Sequence, residues 1–225
     1  KPRGYAGDAR MLDYIYRPKA IDVSRIGQIV HRATIGLPNA RSILYRARLL
    51  ADAIDHVAAE TASPRILSVA SAHMRELDHA RLSERCEIWA LDQDQDSLLE
   101  AQRSYPQVSR FIRCPISHIL KNRLIARFDL IYSAGLFDYL SDRVAVALIR
   151  ALHETLEPGG TLIVGNFAPD SHGRGYMAGI MDWHLVYRSE DDLLRLVKEA
   201  VPQASFDIPR DEPGNVVYAQ MVRRD

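Results

Sequence analysis

The chain has 225 residues, 47% of them apolar and 26% charged, a mixture suited to one globular body with a real core rather than to a disordered tract. Lys plus Arg equals Asp plus Glu at 29 each, so no net positive field marks a nucleic-acid binder. No run of about 18 apolar residues would span a bilayer, and no signal-peptide pattern opens the chain, so the expectation is a cytoplasmic protein.

The first 63 residues read as helical. Met11, Leu12, Ile15 and Tyr16 fall at helical spacing over about 9–16, with Asp8 placed to cap that helix. Ser24 is a candidate cap for a second helix bearing Ile26, Ile29 and Val30. A long third helix follows Pro38, with Ile43, Leu44, Ala47, Leu50, Ala51, Ile54 and Val57 on one face. Arg41, Arg46 and Arg48 on this helix read as a solvated face. TASP at 61–64 breaks the pattern. Residues 1–63 are thus expected to form a helical cap, and 64–225 the main domain.

Beyond Pro64 strands and helices alternate. Strands are expected at 66–71, 87–92, 110–114, 128–133 and 161–166, and helices near 74–84, 95–104, 116–125 and 141–156. Five strands with four helices between them predict a mostly parallel α/β sheet with right-handed crossovers. A helix at 189–200 and strands at 204–208 and 216–222, with PRDEPGN between them, predict an antiparallel hairpin at the sheet's end. The two cysteines, Cys86 and Cys114, lie in separate strand-like runs, which suits buried free thiols. No His/Cys cluster has metal-ligand spacing and no G-x-S-x-G elbow occurs, so neither a metal site nor a serine nucleophile is expected.

In a doubly wound sheet a ligand sits at the carboxyl ends of strands where their order reverses. The first turn, Ala70-Ser71-Ala72-His73-Met74, is the prime candidate, though it holds no glycine and also reads as a plain structural turn. The second strand ends in Asp92, with Gln93 beside it, about 20 residues past that turn. A carboxylate there offers two acceptor oxygens to the hydroxyls of a ribose, or caps the next helix. Asp94 and Asp96 read as turn and cap.

This order of elements resembles the class I S-adenosylmethionine-dependent methyltransferases, which have seven strands with the last antiparallel. Their first motif, acidic-x-Gly-x-Gly-x-Gly, falls on Ser68, Ala70, Ala72 and Met74, and the chain departs from it at each of those positions. GYAGDARMLDYIY at 4–16, SVASAHMREL at 68–77, GLFDYL at 135–140 and MDWHLVYR at 181–188 together resemble a bacterial subfamily identified as 3-hydroxypalmitic acid methyl ester biosynthesis proteins. The resemblance implies a seven-stranded Rossmann-like sheet, S-adenosylmethionine as cofactor, and a small-molecule or fatty-acid-like carboxylate or hydroxyl acceptor.

The resemblance, strand-end position and residue chemistry together single out site residues. Cys114, Pro115 and Ile116 would lie near the adenine. Ser133, Ala134, Gly135 and Phe137 would lie beside the methionine part. Tyr5, Phe137, Tyr139 and Tyr176 would offer aromatic faces to a sulfonium, or pack in the core. Asn166 would orient a carboxylate. His184, beside Trp183, reads as a general base or as a buried structural histidine. Gly173, Gly175 and Gly179 suggest a mobile lid. Two other readings stand beside methyl transfer. One is cyclisation of S-adenosylmethionine to azetidine-2-carboxylate and methylthioadenosine. The other is a non-catalytic nucleoside-binding domain. A homodimer through the N-terminal helices is compatible with the sequence.

Overall fold

The computed structural model describes residues 6–18, 23–82, 85–121, 124 and 126–224. Three helices come first. Helix α1 (Ala9–Tyr16) starts where the Asp8 carboxylate accepts the Met11 N–H at 2.9 Å, and α2 (Arg25–Ile35) where Ser24 Oγ accepts the Gly27 N–H. Helix α3 (Pro38–Glu60) opens on proline, whose missing N–H costs nothing in a first turn. It buries Ile43, Ala47, Leu50, Ala51 and Ile54 at helical spacing, and each large side chain contributes about 1.5–3 kcal/mol.

The sheet then runs β1 (Arg65–Val69), β2 (Glu87–Asp92), α4 (Gln95–Ser104), β3 (Arg110–Arg113), α5 (Ile116–Lys121) and β4 (Phe128–Ser133). It continues with α6 (Asp142–His153), β5 (Leu156–Phe167), α7 (Arg174–Gly179), α8 (Glu190–Ala200), β6 (Ser205–Asp207) and β7 (Val216–Val222). The seven strands lie in the order β3-β2-β1-β4-β5-β7-β6. Strands β1 to β5 are parallel, while β7 pairs antiparallel with both β5 and β6. The expected hairpin is therefore present, with its second strand inserted beside β5.

Alternation along the strands splits the core into two layers. Leu67, Val69 and Ile131 face α5, α6 and α8, while Ile66, Leu130 and Tyr132 face α1, α3 and α4. Strand order reverses at β1, which lies between β2 and β4, so a cleft opens at the carboxyl ends of these strands. Both cysteines are buried free thiols.

Three expectations are corrected. The helix expected near 74–84 is only a 3-10 turn, Arg75–Asp78, entered from Met74 in a left-handed conformation that an α-helix cannot contain. The strand expected at 161–166 begins at Leu156 and takes in Pro158-Gly159-Gly160 as a bulge, where the pairing slips between Phe128–Leu156 and Leu130–Thr161. Arg46 is not solvated. It is buried on the apolar face of α3, three residues after Ile43 and four before Leu50.

Candidate functional site

A cavity of about 490 Å³ occupies the cleft, in the range of pockets that take drug-sized ligands. Its floor is the turn after β1, its sides are the ends of β2 and β4, and α1 and α3 close over it.

The floor is strained. Ala70, Ala72 and Met74 all have positive φ, at 54°, 48° and 53°. These are the three positions where the first motif of the resembling family has glycine. The backbone thus takes the glycine-type path with side chains attached, at a cost of about 1–2 kcal/mol per residue. Neighbouring bonds hold it there. The Ser71 N–H donates to the Leu91 carbonyl at 3.1 Å, and Met74, itself buried, donates to the Ser71 carbonyl.

Asp92 fastens the same turn from the side. One carboxylate oxygen accepts the Ala72 N–H and the other accepts the Asp94 N–H, each at 2.8 Å. Burial raises its pKa above the ordinary aspartate value, against the lowering by these N–H groups. Each oxygen keeps a second lone pair, and the side chain lines the cavity.

Across the β1 turn lies a charged cluster contributed by α3, the 3-10 turn and β4. Arg46 donates from Nη1 to the Ala134 carbonyl at 2.7 Å and from Nη2 to the Tyr16 hydroxyl at 2.9 Å. Burial works against its charge, but Tyr16, Tyr218 and Asp138 around it keep it firmly protonated. Among the described residues no carboxylate forms an ion pair with Arg46. Glu76 is also buried and lines the cavity, and its Oε1 accepts from the Tyr132 hydroxyl at 2.7 Å. Burial pushes the Glu76 carboxyl up, partly offset by Tyr132 and Arg46. Glu76 and Asp138 act on Arg46 through charge, without a direct ion pair.

Several bonds tie the roof down, among them Arg17 Nε on Asp78 Oδ2 at 2.9 Å. Asp13 of α1 accepts from Arg75 Nε at 2.7 Å and Nη2 at 2.8 Å, and lies 2.9 Å from His73 Nδ1. Partial burial works to raise Asp13, but Arg75 and His73 outweigh it and hold the carboxyl well below the usual range. At the other end of α1 the Tyr139 hydroxyl donates to the Ala6 carbonyl at 3.0 Å and accepts the Trp183 indole N–H at 2.7 Å. Gly7, with φ of 74°, lies under that pair, where an added Cβ would come within 2.4 Å of Trp183. Segments of GYAGD, GLFDYL and MDWHLVYR therefore meet at one joint.

The structure gathers part of the expected site. Ala70, Ser71, Ala72, Asp92, Gln93, Ile116, Ala134, Gly135 and Tyr139 line the cavity. Pro115 lies on a neighbouring groove with His118. Ser133 is fully buried, its hydroxyl donating to the Val69 carbonyl, and Phe137 is fully buried in the core. Asn166 is also buried. Its amide donates to the Val186 carbonyl, and its oxygen accepts from Arg188. Tyr176 is half-buried on α7 and does not line the cavity. His184 is exposed, 3.1 Å from Asp182. Tyr5 lies outside the described residues. The segment read as a lid carries α7 and is held down by buried Met177 and by the His172 N–H on Asn215. Arg46, Glu76, Asp13 and the His73–Arg75 pair were not anticipated as site residues.

No protein-family model and no curated protein sequence matches the chain. Solved structures do. A possible exported protein from Bordetella parapertussis superposes over 99% of this chain and 81% of its own, with a TM-score of 0.80 at 15% identity. An S-adenosylmethionine-dependent methyltransferase from Clostridium acetobutylicum covers 96% of this chain and 98% of its own, with a TM-score of 0.63 at 12% identity. The fold is that of the class I methyltransferases. Magnesium protoporphyrin IX methyltransferase from Synechocystis PCC 6803, solved with bound S-adenosylhomocysteine, shares this methyltransferase fold over 94% of the chain and 91% of its own, with a TM-score of 0.61 at 12% identity.

Proposed function

We propose that the chain binds S-adenosylmethionine in this cavity and is a transferase that methylates a small-molecule or fatty-acid-like carboxylate or hydroxyl acceptor. Residues 1–63 serve as the cap and 64–225 as the cofactor-binding domain. One observation carries the reading: the cavity is divided across the switch point. The Asp92 carboxylate lies on the β2 side of the β1 turn, and buried Arg46 and Glu76 lie on the β4 side. A ligand with a ribose at one end and an amino acid at the other matches that division.

Asp92 would accept from the ribose hydroxyls with its remaining lone pairs, already oriented by the backbone N–H groups it holds. Arg46 would pair with the carboxylate of the amino-acid end, and Glu76 would accept from its ammonium. Bound S-adenosylmethionine supplies a methyl group activated by the positive charge on sulfur. The Tyr139 ring and the closed cap would keep water from the reacting centre and hold it in position. A carboxylate acceptor is ionised at neutral pH and needs no base from the protein. Apolar Leu12, Leu136 and Leu140 on the lining suit an acceptor with a hydrocarbon part. The motifs that resemble the 3-hydroxypalmitic acid methyl ester subfamily, and the S-adenosylmethionine and S-adenosylhomocysteine bound by a neighbour of this fold, support the same reading.

A second reading rests on the floor. The methyl groups of Ala70 and Ala72 and the buried Met74 fill space that glycines leave open. They favour a bent amino-acid tail, the geometry for ring closure to azetidine-2-carboxylate. Titration calorimetry with S-adenosylmethionine and S-adenosylhomocysteine, followed by product analysis with and without 3-hydroxypalmitate, separates the cases. S-adenosylhomocysteine formed only with acceptor is the expected result. Methylthioadenosine without acceptor assigns cyclisation instead, binding without turnover leaves a nucleoside-binding module, and binding of neither ligand removes the cofactor reading.

A further inference from the structure

The apolar stripe of α2 faces away from the protein. Ile26, Ile29 and Val30 are 74%, 67% and 55% exposed, Ala33 is exposed with them, and α2 has no buried residue. The spacing i, i+3, i+4, i+7 places these four on one line of the helix. The opposite side, with Gly27, His31, Thr34 and Ile35, is the half-buried one, and His31 lies edge-on to Tyr14 with ring centroids 6.3 Å apart. Amphipathic surface helices ordinarily turn their apolar stripe toward a core. Here that side is left to solvent among the described residues.

The formally charged residues of α2 itself have one sign. Arg25, Gln28 and Arg32 form the flank of the stripe at helical spacing, and all three are exposed. The helix contains two arginines and no aspartate or glutamate, in a chain whose formal net charge is +0. An apolar stripe beside a cationic flank, with acids excluded, is the pattern of a helix that lies in a lipid–water interface.

We propose that α2 docks the protein on an anionic bilayer surface, laying Ile26, Ile29 and Val30 into the boundary between headgroups and acyl chains. Arg25 and Arg32 would then face the lipid phosphates. A second copy of the chain fits less well, because a stable dimer buries about 800 Å² per partner, and four side chains of one short helix fall far below that. An acidic peptide would pair with the arginines but leave the isoleucines unrewarded.

The test is flotation of the full chain with vesicles. One set is phosphatidylcholine alone, and in the other a third of that lipid is replaced by phosphatidylglycerol. Binding to the anionic set, weakened by salt and at least about tenfold tighter than to the neutral set, is expected. Ile26→Asp with Ile29→Asp should lower anionic-vesicle binding on the order of a hundredfold. Arg25→Glu with Arg32→Glu should lower it about twentyfold or more and abolish the preference for anionic lipid. Both pairs lie on the surface, and an unchanged circular dichroism spectrum and melting temperature confirm the fold. The milder Ile26→Ser serves if the double change unfolds. Failure of the full chain to bind anionic vesicles overturns the proposal, as does unchanged binding by both double variants. A dimer in sedimentation equilibrium that Ile26→Asp with Ile29→Asp converts to monomer, with no vesicle binding, assigns the stripe to self-association instead.

Discussion

Ala70, Ala72 and Met74 carry the local tension of the site, and it can be measured. Ala72→Gly relieves about 1–2 kcal/mol of left-handed strain and returns about 0.5–1 kcal/mol to the flexibility of the unfolded chain. A net stabilisation of about 0.5–1 kcal/mol is expected, read as a higher urea midpoint at unchanged slope. A lower midpoint would show that the φ of 48° is not costly. Asp92→Ala should weaken S-adenosylmethionine binding by about 1–3 kcal/mol, the scale of a lost charge-assisted hydrogen bond. Unchanged affinity in a folded variant takes Asp92 out of the site. For Arg46→Met the informative quantity is a difference between ligands. S-adenosylmethionine, which has an amino-acid end, should lose far more affinity than methylthioadenosine, which has none. Equal losses would mean that Arg46 only supports Tyr16 and the Ala134 carbonyl. Arg46 was misread as solvated, although its place between Ile43 and Leu50 on an apolar stripe was the signal that it points inward. Glu76 was not legible, because its direction depends on a 3-10 turn entered from a left-handed residue, and periodicity carries no sign of that.

Elements with a single strong pattern read well. Helix α1, β2, α4, β4 and β7 fall where apolar spacing, a cap or a β-branched run placed them. Segments 74–84 and 156–167 read poorly, for physical reasons. In the first, good helix formers are overridden by the Met74 backbone and by Asp78, which is tied to Arg17 and Tyr105. In the second, Gly159 and Gly160 resemble a turn but only bulge a strand that stays paired on both sides. The motif MDWHLVYR invited a catalytic reading of its aromatics and histidine. Its most engaged member is instead Arg188, 2% exposed along its side chain, which bonds the Phe137 and Leu140 carbonyls, Asn166 and Asp142. For the cap, Tyr139→Phe is the sharp variant. It keeps the ring on the cavity and removes the hydroxyl that joins Ala6 to Trp183. Stopped-flow release of S-adenosylhomocysteine should become severalfold faster, on the scale of one or two lost hydrogen bonds of about 1 kcal/mol each. An unchanged release rate would show that the joint does not hold the cap.

At the scale of the whole molecule, two buried or half-buried carboxyls give stability opposite slopes with pH. Asp138, with its Oδ1 on the Phe167 N–H at 2.7 Å, is pushed up to about 7 by burial, against the lowering by that N–H, Arg46 and Arg188. Its ordinary value is 3.8. Between these values the unfolded chain has released a proton that the folded chain keeps, so this carboxyl makes stability fall as pH rises from about 4 to about 7. Asp13 works the other way: held low by Arg75 and His73, it contributes stability above about pH 4 that is lost as the medium becomes more acid. Urea unfolding across pH 4–8 should show the downward slope in the parent and a flatter one in Asp138→Asn. Parallel profiles would mean that Asp138 titrates normally. Fastenings spread along α1 carry a kinetic meaning of their own. Asp13 and Arg17 tie the helix to the turn beneath the cavity, Tyr16 ties it to α3, and Ala6 ties its leading end to two distant loops, so lifting the helix would require all of them to let go together. Molecules enclosed there would then leave at a pace set by the protein's own breathing, and ligands of very different affinity would share nearly the same dwell time.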